Sequence, residues 1–222
     1  MVSKKITVNI ASLVERVDLL INTINSIIDQ VDEVNLYLNN YKSNPYPDPK
    51  VNYILGDNSL GDSSKFWFVQ EQTEGYALFL DDDLIVGDTY AEDMKKAIDE
   101  FGVVSHHGRT FKSFPITSYY KEPSYRYRCL DEVKYNKPVM ICGTGVLGFN
   151  VETIKPPMSV FKKPNLADIW FSIYADSLNI PIWVLKHKKG YIQYQFVEDT
   201  IWDRKHNNDG FETKIVNETF CK

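Results

Sequence analysis

Cysteine is scarce: Cys129, Cys142 and Cys221 are the only three in 222 residues, widely spaced and without a Cys-x-x-Cys pair or a Cys/His cluster. That argues against a disulfide framework and a structural zinc site, and for a reducing compartment. Positive charge is also short, with 25 Lys and Arg against 30 Asp and Glu for a net charge of −5. No basic stripe is evident, so the expectation is that nucleic acid is not a partner. No apolar run approaches the ~20 residues of a membrane-spanning helix. Met1-Val2-Ser3-Lys4-Lys5 leads into a strand pattern rather than a secretory leader. A cytoplasmic protein is expected, with peripheral membrane association and oligomeric state left open. The segment Asn9-Ile10-Ala11-Ser12-Leu13 offers no Gly-rich phosphate loop of the kind a nucleotidyltransferase wants near its N-terminus. Internal repeats and low-complexity tracts are missing too.

What is present suits one well-buried domain over residues 1–222, since 43% of the chain is hydrophobic and 14% aromatic. Ile6 to Ile10 alternates as a first strand. Leu13, Val17, Leu20, Ile21, Ile24, Ile27, Ile28 and Val31 then recur at helical spacing. Strands follow at 34–38 and 51–55, and a helix is expected to start at the Asp62-Ser63-Ser64 cap and carry Lys65 and Phe66. Residues 88–101 read as a helix and 102–105 as a strand ending in His106-His107-Gly108. From Arg109 to Lys137 periodicity fades into Tyr, Arg and Pro, which suggests a substrate wall or lid. Gly143, Gly145 and Gly148 permit close backbone approach. Their Gly-x-Gly-x-x-Gly spacing is not read as a dinucleotide fingerprint, because Pro156-Pro157 follows instead of a helix. Asp168 opens a further helix, Ile182 to Leu185 is a strand, and the tail from Gln193, including Asp199-Thr200-Ile201-Trp202-Asp203, is polar.

The chemistry concentrates at Tyr76-Ala77-Leu78-Phe79-Leu80-Asp81-Asp82-Asp83, an apolar strand that ends in three carboxylates. Ligands of open α/β sheets bind beyond the carboxyl ends of the strands. Adjacent carboxylates repel unless a cation shares them, and an all-oxygen set favours a hard ion, Mg²⁺ or Mn²⁺. Strand alternation puts Asp81 and Asp83 on one side and Asp82 on the other. Taken alone, the triplet reads equally well as a solvated acidic turn. Likewise Lys65 is a phosphate ligand or a solvated helix lysine, and Asp168 a functional carboxylate or a helix cap.

In order along the chain, Ile10-Ala11-Ser12 with Arg16, Tyr37-Leu38-Asn39-Asn40, Gly61 to Phe66, Asp81-Asp82-Asp83, His107-Gly108, Gly143-Thr144-Gly145 and Ala167-Asp168-Ile169-Trp170 resemble a nucleotide-sugar-dependent glycosyltransferase of the GT-A fold. The resemblance is to the large inverting family, family 2-like, that includes many bacterial polysaccharide enzymes. It implies a Rossmann-like α/β domain with a mostly parallel central sheet flanked by helices. A nucleotide-binding half would span about 1–108 and an acceptor half about 109–222. It further implies a UDP-sugar donor, Mn²⁺ or Mg²⁺ as cofactor, and a saccharide or glycan acceptor. Ala11, Ser12, Arg16, Asn39, Asp57, Asp62, Lys65, Asp81 and Asp82 would line the nucleotide site. Asp81 and Asp83 would bind the metal, with His187 as third ligand, His107 as the weaker candidate, and Lys186 or Lys188 as product-binding alternatives. Asp168 would be the general base. The hydrophobic exit motif of processive synthases is missing, so single-sugar addition is expected. The rival readings are a haloacid-dehalogenase-like phosphohydrolase using Asp81 and Asp83, and a non-catalytic carbohydrate-binding module.

Overall fold

The apolar stripes of the sequence become the buried faces of a three-layer arrangement in a computed structural model, which describes residues 4–122, 124–196 and 208–221. The strands are β1 (Ile6–Leu13), β2 (Glu33–Asn39), β3 (Val51–Gly56), β4 (Tyr76–Asp81), β5 (Leu84–Val86), β6 (Val103–Ser105), β7 (Gly108–Phe111), β8 (Ser124–Tyr127), β9 (Lys137–Val139), β10 (Ile141–Cys142), β11 (Leu147–Asn150), β12 (Ile182–Val184) and β13 (Ile192–Tyr194). The α-helices are α1 (Val17–Ile27), α2 (Tyr90–Phe101), α3 (Ala167–Ser177) and α4 (Gly210–Phe220).

The main sheet runs β3-β2-β1-β4-β11-β6-β12-β9. Its first four strands are mutually parallel, β11 is antiparallel to both neighbours, β6 and β12 are parallel, and β9 closes the edge antiparallel. The sheet is therefore mixed and mostly parallel. Alternation along β4 divides the core: Leu78 and Leu80 join the cluster under α1 and α2, while Ala77 and Phe79 join the cluster on the α3 side. Helix α1 buries Leu20, Thr23, Ile24 and Ile27, one helical stripe. Helix α2 ends at Gly102, whose φ of 83° lets its N–H return to Ile98 O.

Four strands are also tied by a ladder of side-chain amides that the sequence reading did not foresee. Asn52 donates to Asn35 at 3.1 Å, Asn35 to Asn9 at 3.0 Å, and Asn9 to Leu78 O at 3.2 Å.

Two expectations change. Gly61–Phe66 and Phe68–Gln70 are 3₁₀ segments rather than an α-helix. The Ser63 and Ser64 hydroxyls donate to Leu60 O and Gly61 O, at 2.6 and 2.7 Å, and so compete with the α ladder. The stretch read as aperiodic holds β7 and β8, which with β10 form a separate three-stranded sheet. No helix among the described residues is long and apolar enough to cross a membrane. The expected polar segment 199–203 lies outside the described residues.

Candidate active site

Parallel register brings the carboxyl ends of β1 to β4 to one edge. Ala11 sits beside both Tyr37 and Asp81, Leu13 beside Asn39, and Asn39 beside Gly56. Asp57 follows immediately, its Oδ1 taking the Ser59 N–H at 3.0 Å in an Asx turn. Ser12 shares a 3.0 Å hydrogen bond with the Tyr41 hydroxyl. Asn39 is buried with its Oδ1 lacking a partner among the described residues, an acceptor held ready at the sheet edge.

Strand β4 ends at Asp81, so strand alternation does not reach the next two acids: Asp82 and Asp83 lie in the turn before β5 and both face Arg16. Asp82 is buried, takes Arg16 Nη1 at 3.0 Å, and has its own carbonyl bonded by the Thr23 hydroxyl at 3.0 Å. Burial pushes its carboxyl up and Arg16 opposes that shift. Asp83 lies 3.5 Å from the same guanidinium. Burial, followed by repulsion from Asp81 and Asp82, raises its carboxyl to about 7. Asp81 keeps 47% of its side chain exposed and forms an ion pair with Lys65, whose side chain is only 3% exposed. Burial works against charge on Lys65, but Asp81, Asp62 and Asp168 together raise its pKa. Lys65 is thus no solvated lysine.

Asp62 accepts the Ala167 N–H at 3.0 Å, so the 3₁₀ segment caps α3 from a distance. Its other oxygen has no partner among the described residues. Burial, opposed by Lys65 and reinforced by Asp168 and Asp81, raises its carboxyl to about 6. One residue further along α3, Asp168 Oδ1 accepts both the Thr144 N–H and the Thr144 hydroxyl, each at 2.7 Å. The next residue, Gly145, packs so closely on Asp81 that a Cβ there would lie 2.0 Å from Asp81 Oδ2. The Thr144–Val146 turn therefore joins the two carboxylates, touching Asp168 with one residue and Asp81 with the next. In the sequence, Gly143-Thr144-Gly145 stands out for its glycines and for the family resemblance, with no role evident for Thr144. Sequence reasoning overlooked Gln195, whose N–H bonds Asp83 O at 2.8 Å and whose amide reaches Leu19 O and Thr23, at 3.1 and 3.2 Å. A lone Gln in a polar tail carries no signal for that.

His187, expected as third metal ligand, has both ring nitrogens beside backbone carbonyls. It is buried, with Nδ1 at 2.8 Å from Leu185 O and Nε2 at 3.3 Å from Arg128 O. Its ring packs on His106, 5.1 Å away, and burial followed by repulsion from His187 holds the His106 imidazole down to about 3. His107 is nearer the acids: burial lowers its pKa, Asp168 opposes that, and Arg109 and Arg128 add to it. Among the described residues no three His, Cys, Asp or Glu side chains converge to hold an ion. Asp81 and Asp83, paired here with Lys65 and Arg16, are the oxygen donors the sequence offers for an ion. That oxygen-only pair, crowded with negative charge, fits a hard divalent ion completed by phosphate oxygens.

The fold is that of a GT-A-like α/β protein. No family model and no curated protein matches the sequence. Among the solved structures that match is GalNAc-T7 with UDP, GalNAc and Mn²⁺, at a TM-score of 0.62 and 9% identity, over 89% of this chain and 45% of that one. This chain thus spans less than half the length of that structure, and the likeness is one of fold. An all-β carbohydrate-binding module is not compatible with this architecture.

Proposed function

We propose that the chain is a metal-dependent glycosyltransferase. It moves a sugar, with inversion, from a nucleoside-diphosphate donor, UDP-sugar, to a hydroxyl of a saccharide or glycan acceptor. The observation that carries this reading is the Thr144–Val146 turn, which couples the Asp81 carboxylate to the Asp168 carboxylate. Asp168 has one oxygen fixed by Thr144 and the other without a hydrogen-bond partner among the described residues, as a general base needs. As the acceptor oxygen attacks the anomeric carbon, its proton passes to Asp168 and the bond to the diphosphate oxygen breaks. Mn²⁺ or Mg²⁺ held by Asp81 and Asp83 would supply Lewis-acid neutralisation of the departing diphosphate. Lys65 and Arg16 fix the acids in place, and Ala11, Ser12, Asn39 and Asp57 line the nucleotide side. In this reading residues 1–108 bind donor and 109–222 bind acceptor within one domain, and the kin are the inverting family of bacterial polysaccharide synthesis. The GalNAc-T7 structure, which holds UDP, GalNAc and Mn²⁺, supports the donor class. No observation favours the phosphohydrolase alternative.

The test is a thermal-shift and hydrolysis screen of UDP-sugars. UDP with Mn²⁺ should raise Tm, and UDP alone should raise it far less. Asp168→Asn should keep that shift and lose ~10²- to 10⁴-fold in transfer, whereas Asp83→Ala should lose both. A Tm indifferent to metal in wild type would sink the reading.

A further inference from the structure

The pairing of β7 with β8 sets Arg109 directly opposite Arg126, and Arg128 falls two residues further along. Opposed side chains of an antiparallel pair are close neighbours, and like charges there repel. Burial, then Arg109 and Arg128, depresses the Arg126 guanidinium. No carboxylate among the described residues forms an ion pair with any of the three. Uncharged acceptors fasten two of them instead. Arg109 Nη1 donates to Tyr119 O at 2.8 Å, with the guanidinium 4.4 Å from the Tyr119 ring centroid. Arg126 donates to Ser124 Oγ at 3.0 Å and to Tyr120 O. In a chain of net charge −5, three neighbouring arginines without an ion-pair partner among the described residues mark a place where a ligand supplies counter-charge. The fork of a guanidinium suits a carboxylate or a phosphate.

Their location says which ligand. Strand β7 leaves His107, whose carbonyl takes the Gly143 N–H at 2.8 Å, and Gly108 of β7 pairs with Cys142 just before Thr144, the residue that holds Asp168. The arginines thus flank the base side of the site, away from the Asn39 and Asp57 edge. A short anionic group meets less of the chain's overall negative charge than a long polyanion would. We infer that the acceptor is a saccharide bearing a carboxylate or phosphate, gripped by Arg109, Arg126 and Arg128. This rests on the transferase reading of the same site.

The experiment titrates the whole chain by calorimetry with methyl glucoside, methyl glucuronide and methyl glucoside 6-phosphate, with and without UDP and Mn²⁺. One of the two anions should bind ~10- to 100-fold tighter than the neutral sugar, and which one does so separates carboxylate from phosphate. Arg128→Gln, which removes no hydrogen bond among the described residues, and Arg109→Gln should each erase most of that preference while the UDP–Mn²⁺ shift in Tm persists. Equal binding of all three sugars, no binding of either anion, or an undiminished preference in both variants would overturn the proposal. Loss of the UDP–Mn²⁺ shift in wild type, with the anion preference intact, would instead strike the transferase reading alone.

Discussion

Gly145 has no room for a side chain, because a Cβ would lie 2.0 Å from one oxygen of Asp81 and 2.4 Å from its carboxyl carbon. An alanine there must push the carboxylate or the turn aside. Gly145→Ala should therefore abolish the Mn²⁺-dependent part of UDP stabilisation and lower turnover ~100-fold, the cost of misplacing a reacting group by about an ångström. Circular dichroism should stay that of the folded protein. A variant with an unchanged metal-dependent shift would show that Asp81 does not need its present position. At this scale the sequence was legible where a residue's neighbours in the chain set its direction. The apolar run Tyr76 to Leu80 is buried as a strand and its last residue, Asp81, comes out half-exposed, whereas Asp82 and Asp83 fall in a turn where both face Arg16 instead of alternating. It was illegible where the partner is distant: nothing near Lys65 in sequence says it is buried against Asp81, and nothing near His187 says its nitrogens face Leu185 and Arg128.

Among the elements, the join between the Gly61–Phe66 segment and α3 rests on Asp62 and the Ala167 N–H. Asp62 has its usual pKa of 3.8 when unfolded and about 6 when folded, chiefly through burial. The folded state holds this proton more tightly, so the contribution to stability is full below pH 3.8 and is lost as pH rises through about 6. Its full amplitude is on the order of 3 kcal/mol. Asp62→Asn keeps an acceptor for Ala167 and cannot ionise. In urea unfolding between pH 4 and pH 7, wild type should lose stability relative to this variant as pH rises; parallel curves would mean that Asp62 is not desolvated. Long amphipathic elements were readable at this scale, as α1 and α2 demonstrate, because tertiary context only reinforces a strong local stripe. The 3₁₀ segment was misread because its seryl hydroxyls bond backward to carbonyls instead of capping a helix. Strands β7 and β8 went unread although Tyr125-Arg126-Tyr127-Arg128 does alternate with period two, since both faces are polar enough to hide it.

The molecule as a whole is held across its middle by aromatic rings from both halves of the chain. Phe66 stacks on Phe79 at 4.4 Å, Phe79 meets Phe149 at 5.2 Å, and Phe149 stacks on Phe171 at 5.5 Å. Truncating a fully buried ring costs about 3–5 kcal/mol. Phe79→Ala should lower stability by that amount and still unfold in one transition by calorimetry and by tryptophan fluorescence. Two separated transitions would show that residues 1–108 and 109–222 stand alone. The sequence by itself determined the α/β class and the carboxylates at the end of one apolar strand, because each depends on the spacing of apolar and acidic residues within one segment; the mostly parallel sheet was implied by the family resemblance. Only the tertiary structure decided that β11 inserts antiparallel between β4 and β6, that Thr144 and Gly145 bridge Asp168 to Asp81, and that Arg109 stands opposite Arg126. Those are contacts between segments remote in the chain, fixed by how the layers pack and by no local pattern.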